Sequence, residues 1–186
     1  MGEVRIIGGQ WKRSKLPVPD APGLRPTSDR IRETLFNWLG QTLTGWRVLD
    51  AFAGSGALGF EAASRDAAEV VLVERDAKLA AGLRASIQRL KATTLSVQAA
   101  DALAWMRSQA PGRFDLILLD PPFAADLFDA ALAAATPLLA QDGLLYVESP
   151  HEIALPAGFT AWRQGRAGAV HYQLLRREDN QGSGDA

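Results

Sequence analysis

The chain has no cysteine among its 186 residues. That absence excludes disulfides, thiolate metal sites and thiolate nucleophiles together. It also excludes methylation of cytosine at C5, which needs a thiolate to attack the ring. Histidine is almost as scarce, with only His151 and His171, so a zinc site has little to build on and no metal is expected. No uninterrupted apolar run approaches the ~20 residues that span a bilayer. The start Met1-Gly2-Glu3-Val4-Arg5 lacks the apolar core of a signal peptide. These absences point to a soluble, cytoplasmic protein without a membrane partner. The composition is 47% hydrophobic, enough for one well-buried domain and too little chain for a second.

Charge is balanced, at a net -1, and its distribution says more than its sum. Arg5, Lys12, Arg13, Lys15, Arg25, Arg30 and Arg32 crowd the first segment against Glu3, Asp20 and Asp29, while the middle of the chain reads as acidic or neutral. A local basic patch of this kind suits phosphate contacts. Trp11 among these cations adds a face on which an exposed base can stack. The competing reading is a solvated face on a small appendage.

The N-terminus predicts short strands at Val4-Ile7, Gln10-Lys12 and Leu16-Val18 around the Gly8-Gly9 turn. A proline-containing connector runs from Pro19 to Pro26. Thr27, Ser28 and Asp29 can cap a helix whose apolar face is Ile31, Leu35, Phe36, Trp38 and Leu39, ending near Gly40 or Gly45. From Trp46 strands and helices alternate, the pattern of a parallel sheet covered on both faces. The expected strands are 47–51, 70–74, 95–99, 114–120 and 144–148. Helices are expected to begin near Gly56, Ala77, Ala102 and Leu127. Strands near 160–164 and 170–176 are joined by Gly165-Arg166-Ala167-Gly168, too short for a parallel crossover and suited to an antiparallel hairpin. The domain plan is a β appendage with its connector over 1–26, an α/β domain over 27–177, and a polar tail over 178–186 expected to be disordered.

Two motifs carry chemistry. Val48-Leu49-Asp50-Ala51-Phe52-Ala53-Gly54-Ser55-Gly56-Ala57-Leu58-Gly59 reads as strand, glycine loop and helix with G-x-G-x-x-G spacing, which permits a tight turn and close backbone approach to a ligand. Glu74 ends the second strand where a ribose diol would lie. Asp101, with Ala102 after it, follows the third, where an adenine ring would lie. A nicotinamide dinucleotide and S-adenosylmethionine both fit such an opening. Asp50 separates them: its carboxylate repels a pyrophosphate but can receive an amino group and favours a cationic sulfonium. Its structural alternative is an acceptor that braces the loop.

The second motif is Phe114-Asp115-Leu116-Ile117-Leu118-Leu119-Asp120-Pro121-Pro122-Phe123. A buried parallel strand ends in an acid, two prolines and an aromatic ring, at the edge where ligands of open α/β sheets sit. The prolines restrict Asp120 and Pro121. Phe123 offers a face for a planar base. Asp-Pro-Pro can also be a plain strand stop.

The chain resembles the RsmD-type guanine-N2 methyltransferases of bacterial small-subunit ribosomal RNA over most of its length. The resemblance rests on Arg5-Ile6-Ile7-Gly8-Gly9-Gln10-Trp11-Lys12, on the block from Leu24 to Leu39, on Leu49 to Gly56, and on Leu119-Asp120-Pro121-Pro122-Phe123. It implies a class I, Rossmann-like methyltransferase fold: a mostly parallel seven-stranded sheet ending in an antiparallel hairpin, plus the small N-terminal β appendage. S-adenosylmethionine would be the donor, held by Asp50, Phe52, Gly54, Ser55, Gly56, Gly59, Glu74, Asp101 and Ala102. Asp120, Pro121, Pro122 and Phe123 would be catalytic. Arg5, Trp11, Lys12, Arg13, Lys15, Arg25 and Arg30 would meet 16S ribosomal RNA within small-subunit assembly particles, the enzyme acting as a monomer. The alternatives are an adenine-N6 or other exocyclic-amine methyltransferase, a non-catalytic RNA-binding assembly factor, and more remotely a dehydrogenase.

Overall fold

The computed structural model describes residues 2–22, 24, 27–124 and 126–178. The chain opens with an antiparallel hairpin of β1 (Gly2–Arg5) and β2 (Lys15–Val18). The expected strand over Gln10-Lys12 is instead part of a tight turn, closed by the Lys12 N–H donating to Gly9 O (3.2 Å) and the Ser14 N–H to Trp11 O (2.9 Å). The reason is a close approach. A Cβ at Gly9, whose φ is +78°, would lie 1.8 Å from the carbonyl oxygen of Ser64, so the backbone bends around a neighbouring helix end.

Helix α1 (Asp29–Leu39) starts where Ser28 accepts from the Ile31 N–H (3.2 Å) and stops at Gly40 in the left-handed region. Its buried face holds Ile31, Leu35, Phe36 and Leu39 as expected, but also Arg32, which is 0% exposed. Trp38 stacks on Tyr172 with centroids 5.3 Å apart.

The main sheet alternates with helices in the order β3 (Arg47–Asp50), α2 (Ala57–Ser64), β4 (Glu69–Val73), α3 (Ala77–Leu90), β5 (Leu95–Gln98), α4 (Ala102–Arg107), β6 (Phe114–Leu119), α5 (Phe128–Ala135), β7 (Leu139–Ser149), β8 (Phe159–Ala167) and β9 (Val170–Arg177). Its seven strands lie in the order β5-β4-β3-β6-β7-β9-β8. The first five are parallel, and β9 pairs antiparallel to both β7 and β8. The final turn is shorter than expected. Gly165 and Ala167 belong to β8, and Gly165 stays in the strand because its missing Cβ makes room for the Tyr172 ring, 2.5 Å from where that carbon would sit. Strand β7 also begins earlier than expected, at Leu139, with an irregularity in its pairing between Phe114 and Leu116.

Strand side chains alternate between two cores. Val48, Leu72, Leu118 and Tyr146 face α1, α2, α3 and the N-terminal hairpin, whose Val4, Ile6, Leu16 and Val18 join that core. Leu49, Val71, Leu119 and Val147 face α4 and α5. The hairpin is held from within by one carboxylate. Glu61 of α2, 0% exposed, accepts from the N–H groups of Ile7 (2.8 Å) and Gly8 (3.0 Å), from Arg32 (3.2 Å) and from Arg65 (3.2 Å). Arg32 also donates to Arg5 O (3.0 Å). This buried cation is a clamp for the hairpin and does not form part of the basic surface in which the sequence placed it.

Among the described residues no helix is long and apolar enough to cross a membrane. Of the polar tail, only Glu178 is described, its N–H donating to Gly158 O (2.8 Å). The remainder, 179–186, lies outside the described residues, as does Arg25.

Candidate active site

Strand β3 is the switch point of the sheet, with β4 on one side and β6 on the other, and a crevice opens beyond the carboxyl ends there. Asp50, Glu74 and Asp120 continue the parity of Val48, Leu72 and Leu118, so all three project to the α1 and α2 side. They line one cleft with Phe52, Gly54, Ser55, Thr27, Pro121 and Pro122. Phe52, Glu74 and Pro122 also line its extension toward Asp101 and Ala102.

The glycine loop is built by carboxylates. The Gly54 N–H donates to Glu74 Oε2 (2.8 Å), and the other oxygen of Glu74 accepts from the Asp76 N–H (3.0 Å). The Gly59 N–H donates to Asp50 Oδ2 (3.1 Å). A Cβ at Gly59 would fall 2.2 Å from Leu72 Cδ2, which is the close helix–strand approach that glycine allows. Asp50 thus braces α2 through Gly59, as its structural alternative expects, and also lines the cleft. Asp50 is 1% exposed. Its carboxyl is pushed up from 3.8 to about 7, mainly by burial, against the Gly59 N–H, with the charge of Glu74 adding to the rise. Asp101 caps α4 by accepting from the Ala104 N–H (2.9 Å) at the far end of the cleft.

Asp120 Oδ2 accepts from the Thr27 hydroxyl (3.3 Å). Beneath it, on the same face, the buried Tyr146 hydroxyl donates to Glu148 Oε2 (3.0 Å). Burial first, then the charges of Glu148 and Asp120, hold that phenol well above the usual tyrosine range. Pro121 is buried and Pro122 exposed. Phe123 does not share the cleft wall with Asp120. It packs on the α4–α5 core, with its ring 6.3 Å from Phe128.

Several lining residues were not singled out from the sequence as cleft residues. Pro22 and Leu24 of the connector roof the glycine loop, so closely that a Cβ at Gly54 would sit 3.0 Å from Leu24 Cδ1. Thr27 read as a helix cap, a role that Ser28 fills. Arg75 follows Glu74 and lines both parts of the cleft.

The basic hairpin residues are not beside the cleft. The Gln10 N–H donates to Ser64 O (2.8 Å) and the Trp11 N–H to Ser64 Oγ (3.0 Å), at the last residue of α2. Helix α2 has 8 residues, so the turn carrying Lys12 and Arg13 lies about 12 Å from the glycine loop. Trp11 is half-buried against the core, which reduces its face for stacking. Lys15 pairs with Glu3 (3.3 Å), and Arg5, Lys12, Arg13 and Arg30 are exposed.

The sheet order and the carboxylate-lined crevice at its switch point define a class I methyltransferase. A precorrin-6y C5,15-methyltransferase from Geobacter metallireducens shares the fold, with a TM-score of 0.64 and 13% identity over 87% of this chain and 94% of that one. The chain also matches the family described as Conserved hypothetical protein 95 over residues 4–176. It is 45% identical over 190 residues to Ribosomal RNA small subunit methyltransferase D of Escherichia coli K12, spanning 100% of this chain and 95% of that protein. The protein of the same name from Haemophilus influenzae is 41% identical over 184 residues, 94% of each chain. The solved structure of the putative methyltransferase yhhF from Escherichia coli superposes with a TM-score of 0.85 and 43% identity over 95% of this chain and 99% of that one. This chain belongs to the ribosomal RNA small subunit methyltransferase D family.

Proposed function

We propose that this protein methylates the exocyclic N2 amine of one guanine in 16S ribosomal RNA, using S-adenosylmethionine and acting as a cytoplasmic monomer on assembling small subunits. The observation that carries this reading is the meeting of Asp120 with the Gly54 loop and Glu74 in one cleft, in a chain of this family. The donor set fits. Among the described residues, Asp50, Glu74, Asp76 and Asp120 line the cleft against one cation, Arg75, a field that repels a pyrophosphate and favours a sulfonium with its ammonium group. S-adenosylmethionine, when bound, supplies an activated methyl group. Asp50 would receive the ammonium end, Glu74 the ribose hydroxyls, and Asp101, Ala102 and Phe52 would hold the adenine.

Guanine N2 is a poor nucleophile because its lone pair is conjugated with the ring. Hydrogen bonds from the amine to the Asp120 carboxylate and the Pro121 carbonyl turn that lone pair toward the donor side of the cleft. Positioning is then the main catalytic device. Asp120 takes the proton that the amine loses and passes it to water. The base must leave its stack or already lie in a loop to reach Asp120, and the Phe123 ring would stack on it only by turning from its contact with Phe128.

The test is transfer of a labelled methyl group from S-adenosylmethionine to unmodified small-subunit particles, with protein-free RNA and duplex DNA in parallel, followed by nucleoside analysis. N2-methylguanosine in the small-subunit RNA is expected. Labelled N6-methyladenosine, or donor binding without transfer to any substrate, would overturn the assignment.

A further inference from the structure

The cleft and the basic hairpin turn lie at opposite ends of α2, and a different helix connects them. Helix α3 begins after Arg75, which lines the cleft. Near its other end Arg89 donates to the carbonyl of Lys15 in the hairpin (2.6 Å). From residue 77 to residue 100 the chain carries Lys78, Arg84, Arg89 and Lys91 and no acidic residue at all. All four are exposed. The middle of the chain is therefore not uniformly acidic or neutral, as its overall balance suggested, but holds an exposed cationic stretch in which Lys78 and Arg89 share one face.

Helix stability does not account for that face. Cations in a last turn complement the helix dipole, which suffices for Arg89, but Lys78 stands in the first turn, where a positive charge opposes it. No acid on α3 offsets any of these charges at i±4. Gly82 gives a second, independent indication. Glycine inside a helix costs about 1 kcal/mol relative to alanine, yet a Cβ at Gly82 would meet nothing within 4 Å. Packing within the molecule does not require it. Lys78, Gly82, Ala85 and Arg89 follow one another at i, i+4, i+7 and i+11, so two cations flank a strip of small residues on one face. At 1.5 Å per residue the strip from Lys78 to Arg89 is about 17 Å long. This is the span of roughly five phosphates along one strand of a duplex.

We propose that the exposed face of α3 is a docking surface for an RNA sugar–phosphate backbone. It leads from the cleft to the Lys12 and Arg13 turn, with Lys78 and Arg89 as phosphate contacts and Gly82 allowing the backbone close. The proposal rests on the RNA-modifying reading of the cleft and names a surface that reading lacks.

The experiment compares wild type with Lys78→Glu, Gly82→Glu and Gly82→Ala, reading affinity for protein-free small-subunit RNA and for unmodified particles between 50 and 200 mM salt. Donor affinity by calorimetry and thermal stability are read alongside. Gly82→Glu projects into open space and adds helix propensity, so folding is expected to be unharmed. Both glutamate variants should weaken RNA binding at least tenfold at low salt, and Lys78→Glu should flatten the salt dependence by about 0.9, the slope that one neutralised duplex phosphate supplies. Donor affinity should be unchanged, and Gly82→Ala should bind RNA far better than Gly82→Glu. Unchanged RNA affinity and salt slope in both glutamate variants would overturn the proposal. So would weakening confined to particles with protein-free RNA unaffected, since that outcome assigns the face to a ribosomal protein. If wild type binds RNA through α3 but transfers no methyl group, the enzymatic reading fails while this surface stands.

Discussion

Asp50 gives the most quantitative expectation. Its carboxyl is fully buried and pushed up from 3.8 to about 7, a displacement equivalent to on the order of 4 kcal/mol. Because the folded-state value lies above the unfolded one, ionising Asp50 works against folding. Below the unfolded value both states hold the proton and there is no penalty. Between there and about pH 7 the native state keeps a proton that the unfolded chain has lost, so the penalty grows with pH, and above 7 it is complete. Asp50→Asn keeps an acceptor for the Gly59 N–H and removes the charge. Its gain in unfolding free energy over wild type should be near zero at pH 4, rise toward pH 7 and level off at a few kcal/mol above it. Donor binding should move the other way. If the carboxylate receives the ammonium group, wild type at pH 6 is only about one-tenth ionised there and should bind S-adenosylmethionine about tenfold more weakly than at pH 8. The variant should bind weakly at both. Calorimetric titrations at pH 6 and pH 8, paired with denaturant unfolding, read both arms. A variant with wild-type donor affinity, or a stability difference independent of pH, would refute the reasoning.

Other expectations follow from the same geometry. Glu61→Ala leaves Arg65 buried without its carboxylate and Arg32 with only the exposed Asp29, and strips the Ile7 and Gly8 N–H groups of their acceptor. A loss of about 3–5 kcal/mol is expected, seen as a fall in melting temperature of roughly 6–20 °C; a fall of a degree or two would mean that the hairpin is not clamped there. Gly59→Ala drives a Cβ into Leu72 and should cost about 1–3 kcal/mol by overpacking, with donor affinity reduced as α2 shifts; unchanged melting would show that α2 relaxes freely. Glu74→Ala should weaken donor binding at least tenfold by calorimetry, because both the ribose acceptor and the brace on the Gly54 N–H go with the carboxylate, and an unaltered dissociation constant would count against it. Phe123→Ala should raise KM for the RNA substrate with donor affinity intact, whereas an effect on melting alone would leave the ring a packing partner of Phe128.

Much of this site was legible in the sequence because strand ends carry their chemistry at fixed places. Parity along β3, β4 and β6 alone puts Asp50, Glu74 and Asp120 on one side. The glycine spacing foretold the turn, and the short final connection foretold the antiparallel hairpin. The features that escaped depend on contacts between distant segments. Gln10-Trp11-Lys12 alternates like a strand, but Ser64, more than fifty residues away, bends it into a turn. Arg32 looked like one more surface cation until Glu61 was found beneath it. Leu24 belongs to a connector whose composition says only that it is not regular, and Thr27 was one of three candidates for capping α1. Phe123 has the residue type of a stacking partner, while its orientation is set by Phe128 on a helix that follows. The cationic face of α3 was hidden by averaging charge over the middle of the chain.

The most direct test of the account is Asp120→Ala against wild type in labelled methyl transfer to unmodified small-subunit particles, with calorimetric donor binding on both proteins. N2-methylguanosine formation is expected to fall by at least a hundredfold while the donor dissociation constant changes less than threefold. Transfer at the wild-type rate by Asp120→Ala would contradict it, because the amine would then be oriented by something other than the carboxylate at the end of β6.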